Sequence, residues 1–266
     1  MKKLGFIGSG NMATAMMGGI IRSEIFAPDE IIVSDVNESA LQRVNSTYGV
    51  NVTSSNIEVV ENSEVFILAV KPQYYASVIA EIAPHVTDSQ LIITIAPGQT
   101  LASLKEKFGK DSVKIIRTMP NTPAMVGEGI TAVTPNENVS AEELEYACKI
   151  LSGFGLAEVI SENLMDAVVS VSGSSPAYVF MFIEAMADAA VADGMPRAQA
   201  YKFAAQAVMG SAKMVLETGK HPGELKDMVC SPAGTTIEAV RVLEEKGMRS
   251  AVIEAMKACT RKAKGM

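Results

Sequence analysis

Three features of the sequence predict an α/β protein built on a doubly wound parallel sheet. Through the first 160 residues, short apolar and β-branched runs alternate with amphipathic stretches, as strands and helices do in such sheets. A glycine-rich loop follows the first run and opens a helix, which is typical of Rossmann-type sheets. The strand-like runs then stop. We therefore expect an N-terminal Rossmann-type domain over residues 1–160 and an all-helical domain over residues 161–266.

Each element of the first half has a local signal. Near-continuous β-branched runs are typical of strands that helices cover on both faces, and helical periodicity fills the segments between them. The predicted strands cover residues 4–7, 31–33, 65–70, 91–95 and 113–116, and the first two helices cover residues 11–22 and 38–48.

Glycine and proline delimit the helices of the second half. Pro176, after two serines, marks the first turn of a long helix, and Pro196 marks its end. This helix is apolar around much of its circumference and must be buried. It packs either in the chain's own core or, as we favour, on a second copy of the chain. The remaining predicted helices cover residues 197–217, 222–229, 236–245 and 249–262.

Composition and charge argue against several classes of protein. With 48% hydrophobic and 20% charged residues, the 266-residue chain is not disordered. Its formal net charge of −7 argues against general nucleic-acid binding. Three cysteines without a C-x-x-C pair predict neither disulfides nor a metal site, and they favour a cytoplasmic location. We expect no secretory leader and, because Glu184, Asp188 and Asp193 interrupt the most apolar stretch, no membrane span.

The strongest motif is the loop after the first strand, and it predicts a dinucleotide site. Gly8 permits a tight turn, Gly10 lets the backbone approach a pyrophosphate, and Ala13 takes the third, small position. The helix that follows presents free N–H groups to the phosphates. The alternative is a purely structural turn. The candidate cofactor-binding residues here are Ile7, Gly8, Ser9, Gly10, Asn11 and Met12.

Asp35 ends the second predicted strand. An acid at this position usually accepts hydrogen bonds from the adenosine ribose and repels a 2′-phosphate, which favours NADH over NADPH. Alternatively, Asp35 and Asn37 cap the next helix.

Two further strand ends point to the same edge of the sheet, where ligands of open parallel sheets bind. Ala69, Val70, Lys71 and Pro72 end one strand, and Pro97 follows the next. Lys71 is expected near the nicotinamide or its ribose and is a candidate catalytic residue, with a solvated lysine as the alternative.

In the helical half, a loop of small residues precedes the next-to-last helix. It contains Ser231, Gly234, Thr235 and Thr236. Hydroxyls and free N–H groups at a helix N-terminus can bind a carboxylate. The structural alternative is a capping box between Thr235 and Glu238.

Neither histidine has the setting of a catalytic base. His85 follows Pro84 and His221 precedes Pro222, so both are predicted in loops. No catalytic triad, metal-protease or Walker motif is evident. A dehydrogenase that depends on a histidine base therefore lacks its catalyst.

Taken together, these segments resemble the pyrroline-5-carboxylate reductase family over essentially the whole chain. The resemblance is carried by the glycine-rich loop and by Ala69–Pro72, Met119–Pro123, Val171–Tyr178 and, most specifically, His221–Asp227 leading into Ser231–Thr236. It implies reduction of 1-pyrroline-5-carboxylate to L-proline, the last step of proline synthesis, by hydride from NADPH or NADH.

The resemblance also implies site residues and an assembly. Thr236 would lie near the ring nitrogen, and Gly234–Thr236 of a partner subunit would hold the carboxylate. Glu162 matches a proline-contacting position, Asn56 an adenosine contact, and Ser34 a ribose-phosphate contact. The family forms homodimers through its C-terminal helices, and many members assemble five dimers into a decamer.

Two other functions stay open at this stage. A β-hydroxyacid dehydrogenase would share the architecture but needs a catalytic lysine in its helical domain. Lys202 and Lys213 lie there, although neither is in a small-residue loop. The second alternative is a regulatory protein that binds the cofactor without turnover.

Overall fold

The computed structural model describes residues 2–265 and contains an eight-stranded sheet flanked by helices, followed by a helical region. The strands are β1 (Lys2–Ile7), β2 (Ile31–Ser34), β3 (Asn51–Thr53), β4 (Ser63–Leu68), β5 (Leu91–Thr94), β6 (Lys114–Met119), β7 (Gly129–Pro135) and β8 (Gly155–Val159). Their order in the sheet is β3-β2-β1-β4-β5-β6-β7-β8.

Helices connect the strands and then form the rest of the chain. Those among the strands are α1 (Asn11–Arg22), α2 (Glu38–Tyr48), α3 (Asn56–Asn62), α4 (Tyr75–Ile82), α5 (Leu101–Phe108) and α6 (Ala141–Leu151). Those after the last strand are α7 (Met165–Val168), α8 (Ser175–Ala192), α9 (Arg197–Thr218), α10 (Pro222–Val229), α11 (Thr235–Glu245) and α12 (Met248–Lys264).

The predicted fold class is confirmed, with one difference in strand direction. Every neighbouring pair in the sheet is parallel except β6 and β7, which are antiparallel. β3, β7 and β8 were not among the predicted strands. Their alternating or polar composition lacks the continuous apolar run that marks a strand buried on both faces.

Two hydrophobic cores lie on opposite faces of the sheet, as alternating side chains of a doubly covered strand require. Phe6, Ile67 and Ile93 point into the core beneath α1, α2 and α6. Ile7 and Phe66, each one residue away in its strand, point into the core beneath α3, α4 and α5. The sheet is therefore a rigid platform whose strand ends hold the loops of the site.

Chain contacts divide the protein into two compact units. One contains the residues up to Ser174 together with those from Thr260 onward, and the other is Ser175–Cys259. The sheet unit includes a π-helical turn, Val169–Gly173, whose Ser172 carbonyl accepts a hydrogen bond from Asn121 Nδ2 at 3.1 Å. The functional boundary at residue 160 stays a prediction.

Most of the long apolar helix α8 is exposed within residues 2–265. Only Ala187 of α8 is buried, whereas Phe180 and Met181 are 64% and 69% exposed. Among the described residues, one helical stretch, Glu162–Ala192, has the length and composition to cross a membrane. Glu184 and Asp188 interrupt the apolar surface of this helix, and an exposed apolar patch of this kind marks an interaction surface.

Candidate active site

A cleft opens where the strand order reverses. β1 lies between β2 and β4, and ligands of doubly wound sheets bind beyond the carboxyl ends of the strands at such a point. The cleft has a volume of about 490 Å³ and is lined by Gly8, Gly10, Asp35, Val36, Asn56, Ala69, Val70, Lys71, Tyr74, Ser77, Val78 and Glu81. Seven of these positions were predicted from the sequence, and the structure brings them together.

Gly8 is required by the backbone of the loop. Its φ is +104°, a conformation that side chains with a β-carbon rarely adopt. A β-carbon there would lie 2.8 Å from the carbonyl oxygen of Ala69, and the Gly8 N–H donates to the Ser34 carbonyl at 2.8 Å. Gly8 therefore lets the loop after β1 pass close to the carboxyl ends of β2 and β4.

Gly10, in contrast, is required neither by its backbone conformation nor by packing. It is the N-cap of α1, with an ordinary φ of −66° and no side-chain capping bond. No heavy atom lies within 4 Å of the place where a β-carbon would stand. Free helical N–H groups beside open space form a cradle for a phosphate, so the loop fits the pyrophosphate of a dinucleotide.

Asp35 does not cap the next helix but holds the glycine-rich loop. Its Oδ2 accepts hydrogen bonds from the backbone N–H and the hydroxyl of Ser9, both at 2.7 Å, and Oδ1 accepts from the Asn37 N–H at 2.9 Å. Asn37 alone caps α2. Burial acts to raise the pKa of Asp35, but the hydrogen bonds from Ser9 and Asn37 outweigh it and lower the pKa. The carboxylate thus keeps its negative charge at the cleft.

We expect Asp35→Asn to shift cofactor preference toward NADPH. The amide keeps an oxygen for the two Ser9 donors but removes the charge that repels a 2′-phosphate. The ratio of the NADPH to the NADH dissociation constant should fall at least about fivefold, because like charges brought together cost more than 1 kcal/mol. Fluorescence titration with each cofactor measures the ratio.

Glu38→Gln is the matched control for this variant. Glu38 lies three residues further on, in the exposed first turn of α2, and does not line the cleft. Its neutralisation should leave the ratio unchanged. A ratio in Asp35→Asn equal to that of the unmodified protein would remove the Asp35 charge from cofactor discrimination.

The turn that follows β4 carries Lys71 into the cleft. Ala69 N–H donates to the Ile7 carbonyl at 2.8 Å, and the buried Tyr75 hydroxyl donates to the Leu68 carbonyl at 2.7 Å. Burial raises the pKa of Tyr75, so this hydroxyl remains a donor. Lys71 is exposed and is the one cationic side chain among the lining residues, so it can meet a phosphate or a ribose from solvent.

Pro97 follows β5, the neighbour of β4, and Glu162 follows β8, the strand at the edge of the sheet. Pro97 lines a small cleft with Met119, Met165 and other residues. Glu162 Oε1 accepts from the Leu101 N–H at 2.8 Å and from Arg117 Nη1 at 2.9 Å. This carboxylate oxygen therefore connects the segment after β8 to the start of α5 and to β6. A contact of Glu162 with substrate stays a prediction.

Arg117 is a buried partner of the candidate residue Glu162 that the sequence analysis missed. It is only 8% exposed, and its guanidinium is paired with Glu162. The sequence signal that could have revealed this pair is a charged residue within the apolar run of β6. A charge buried in a strand requires a partner of opposite charge.

The Ser231–Thr236 loop lies in the helical unit and has a specific local shape. Gly234 N–H donates to the Ser231 carbonyl at 3.1 Å, Ala233 has a φ of +56°, and a β-carbon at Gly234 would collide with the Ser231 hydroxyl. Gly234 is the N-cap of α11, and no side chain caps it. The first N–H groups of α11 therefore have no side-chain capping partner.

The alternative interpretation of Thr235 and Glu238 as a capping box is wrong. Thr235 is already the first helical residue. It therefore does not occupy the N-cap position, from which a side chain accepts a hydrogen bond from an N–H group of the first turn. Glu238 instead pairs with Arg241, one turn further along the helix, at 2.7 Å. Neither the Thr235 nor the Thr236 hydroxyl has a hydrogen-bond partner among residues 2–265.

The two histidines have structural contacts. His85 Nδ1 lies 2.8 Å from Glu61 Oε1, and His221 caps α10 by accepting the Gly223 N–H at Nδ1. Neither lines the cleft. Across residues 2–265, no group of three His, Cys, Asp or Glu side chains could hold a metal ion. The polar groups at the cleft suit a dinucleotide.

Two family models match the chain. Residues 162–266 match the model of the pyrroline-5-carboxylate reductase dimerisation region. Residues 3–98 match the model of the coenzyme F420-dependent NADP oxidoreductases.

Full-length relatives and solved structures agree with these matches. The chain is 56% identical over 262 residues to pyrroline-5-carboxylate reductase from Escherichia coli K12, covering 98% of this chain and 97% of the relative. The reductase from Methanosarcina acetivorans is 45% identical, at 96% and 94% coverage. A Coxiella burnetii reductase structure superimposes with a TM-score of 0.92 at 34% identity, covering 99% and 98% of the two chains. A Plasmodium falciparum pyrroline carboxylate reductase structure with NADP bound superimposes with a TM-score of 0.89 at 32% identity, covering 99% of this chain and 97% of that chain.

Proposed function

The chain belongs to the pyrroline-5-carboxylate reductase family, and from this we propose how its own residues bind the reactants and carry out the reaction. The protein is an NAD(P)H-dependent oxidoreductase that reduces 1-pyrroline-5-carboxylate to L-proline. Full-length identity of 56% to a reductase sets aside both the β-hydroxyacid dehydrogenase and the cofactor-binding regulator. The open cradle at Gly10 is the observation that carries the assignment of the cofactor site.

On the cofactor side, each segment of the cleft has a proposed role. When bound, NAD(P)H supplies a hydride from C4 of the nicotinamide. Gly10 and the N-terminus of α1 hold the pyrophosphate. Asn56 contacts the adenosine end, Asp35 and Ser34 lie near the ribose, and Lys71 lies near the nicotinamide ribose. Ile7 and Ser9 through Met12 support the loop, and Pro72 and Pro97 support the walls of the nicotinamide end.

On the substrate side, the loop before α11 is proposed to hold the imine. Ser231, Gly234 and Thr235 bind the substrate carboxylate, chiefly through N–H groups at the start of α11. Thr236 donates a hydrogen bond at the ring nitrogen. The ring nitrogen takes up a proton, from water or through the Thr236 hydroxyl, as the neighbouring carbon takes up the hydride, so no histidine base has to remove one. Glu162 is proposed as a further contact of the substrate.

We propose that the protein is a homodimer whose helical units pair through α8. The exposed apolar side chains of this helix, such as Phe180 and Met181, are too extensive to face water in a soluble protein. In this arrangement the Ser231–Thr236 loop serves the cleft of the partner subunit. A decamer of five dimers is the larger assembly that we propose. A cytoplasmic location, without nucleic-acid or membrane partners, completes the proposal.

A mixing experiment tests the shared active site. Gly10→Val should inactivate the cleft of its own subunit, and Thr236→Val should weaken the loop that this subunit lends to its partner. In a mixed dimer, one site receives both defects and the other receives neither. In purified mixed dimers, whose two subunits carry different tags, one of the two sites is intact, so we expect about half of the activity of the unmodified protein. Reductase assays on co-expressed, doubly tagged dimers measure it.

As a control, each variant is expressed alone with both tags, so that dimers of a single variant pass through the same purification. If purified mixed dimers show no more activity than the two parents, each active site is built from one chain. The assignment of Thr236 to the partner's cleft would then be wrong, while the family reaction would stand.

A further inference from the structure

A chain of three hydrogen-bonded side chains lies at the adenosine end of the cleft. Ser34 Oγ donates to Asn56 Oδ1 at 2.7 Å, and Asn56 Nδ2 donates to Glu81 Oε2 at 2.9 Å. Ser34 is fully buried at the end of β2, Asn56 begins α3, and Glu81 lies near the end of α4. Asn56 and Glu81 both line the cleft, whereas Ser34 lies behind them.

Glu81 decides which group donates and which accepts in these hydrogen bonds. A serine hydroxyl can donate to an amide oxygen or accept from an amide nitrogen, so Ser34 alone would permit either orientation of the Asn56 amide. A carboxylate only accepts. Glu81 therefore requires Nδ2 to face α4, which turns Oδ1 toward Ser34 and makes the serine the donor. The orientation of the amide follows from these partners.

We propose that Glu81 is a positioning residue for the cofactor, acting through Asn56. It holds the amide in one orientation, so that the second Nδ2 hydrogen remains a donor available to the adenosine portion of the dinucleotide. Ordering a polar group before the ligand arrives removes part of the cost of binding. This inference rests on the proposed role of Asn56 in the cofactor site.

Glu81→Ala and Glu81→Gln separate this role from simple loss of charge. Without an acceptor, the Asn56 amide is free to turn, and the dissociation constants of both NADH and NADPH should rise about five- to tenfold, the effect of one hydrogen bond. Glutamine keeps an acceptor oxygen, so Glu81→Gln should stay within about twofold of the unmodified protein. At saturating cofactor, kcat should be unchanged in both, because the adenosine end is remote from the hydride.

A double-mutant cycle with Asn56→Ala tests whether Glu81 acts through Asn56. If it does, Glu81→Ala adds nothing once Asn56 has been replaced. Glu61→Ala is the matched control, because Glu61 also extends from this layer of helices but hydrogen-bonds His85 instead and does not line the cleft. It should not alter cofactor affinity. Thermal unfolding of each variant separates altered binding from lost stability.

Three results would overturn the inference: unchanged affinity in Glu81→Ala while Asn56→Ala weakens binding, additive effects in the cycle, or a glutamine variant as weak as the alanine variant. If Asn56→Ala itself leaves cofactor affinity unchanged, the proposed cofactor site is wrong at this position, and the inference fails with it. The Asn56→Ala arm therefore distinguishes the two failures.

Discussion

Gly10→Val is expected to abolish cofactor binding while leaving the protein folded. The backbone of Gly10 suits any residue, and its missing β-carbon would stand in open space. A valine side chain therefore occupies the cradle instead of disturbing the fold. The dissociation constants of NADH and NADPH should rise at least about 100-fold, because the pyrophosphate loses its approach to the N–H groups of α1. Fluorescence titration and thermal unfolding measure binding and stability.

Two glycine variants calibrate this result. Gly10→Ala places one methyl group in the cradle and should give a smaller loss of affinity without loss of stability. Gly8→Ala should lower stability, because its φ of +104° and the nearby Ala69 carbonyl oppose a β-carbon. A folded Gly10→Val protein that binds NADH normally would show that this loop is only structural.

Thr236→Val should lower turnover with little effect on cofactor affinity. Valine keeps the volume of threonine and removes the hydroxyl proposed to hydrogen-bond the ring nitrogen. The ring nitrogen gains negative charge from the hydride before it takes up its proton, and a hydrogen bond to such a nitrogen is worth about 1.5–3 kcal/mol, so kcat/KM for 1-pyrroline-5-carboxylate should fall about 10- to 100-fold. The rate of NADH oxidation at several substrate concentrations gives the value.

Thr235→Val is the neighbouring comparison, and the structure changes what is expected of it. A capping box would have made this substitution cost about 1 kcal/mol of stability. Because Gly234 is the N-cap, we now expect an almost unchanged melting temperature. The variant keeps its backbone N–H, so its loss of activity should be smaller than that of Thr236→Val. Equal losses at both positions would contradict a specific role for the Thr236 hydroxyl.

Local signals in the sequence were sufficient for most helices and for the buried strands. α1, α2 and α10 have the predicted bounds, because capping residues, glycine and proline act within one turn of a helix end. Residues 31–33 and 91–95 contain continuous apolar runs, and β2 and β5 form there. The glycine-rich loop is recognisable for the same reason, since all its parts lie within a few residues.

Elements without a strong local signal were missed. β3 has only three residues, and β8 is an edge strand whose Leu156 and Val159 are largely exposed. The capping box was wrong although its residues fit the motif. The turn at Ser231–Gly234 decides where α11 begins, and a motif of residue types does not contain that turn.

The sequence by itself thus determined the division into a sheet half and a helical half, the dinucleotide loop and the resemblance that points to the reaction. Only the tertiary structure decided which polar side chains face each other across the site. Asp35 hydrogen-bonds Ser9, which is 26 residues away in the sequence. Glu81 hydrogen-bonds Asn56 at a separation of 25 residues, and Arg117 pairs with Glu162 at a separation of 45 residues. Such pairs leave no periodic pattern, because their partners are brought together by the packing of strands and helices rather than by their spacing in the chain.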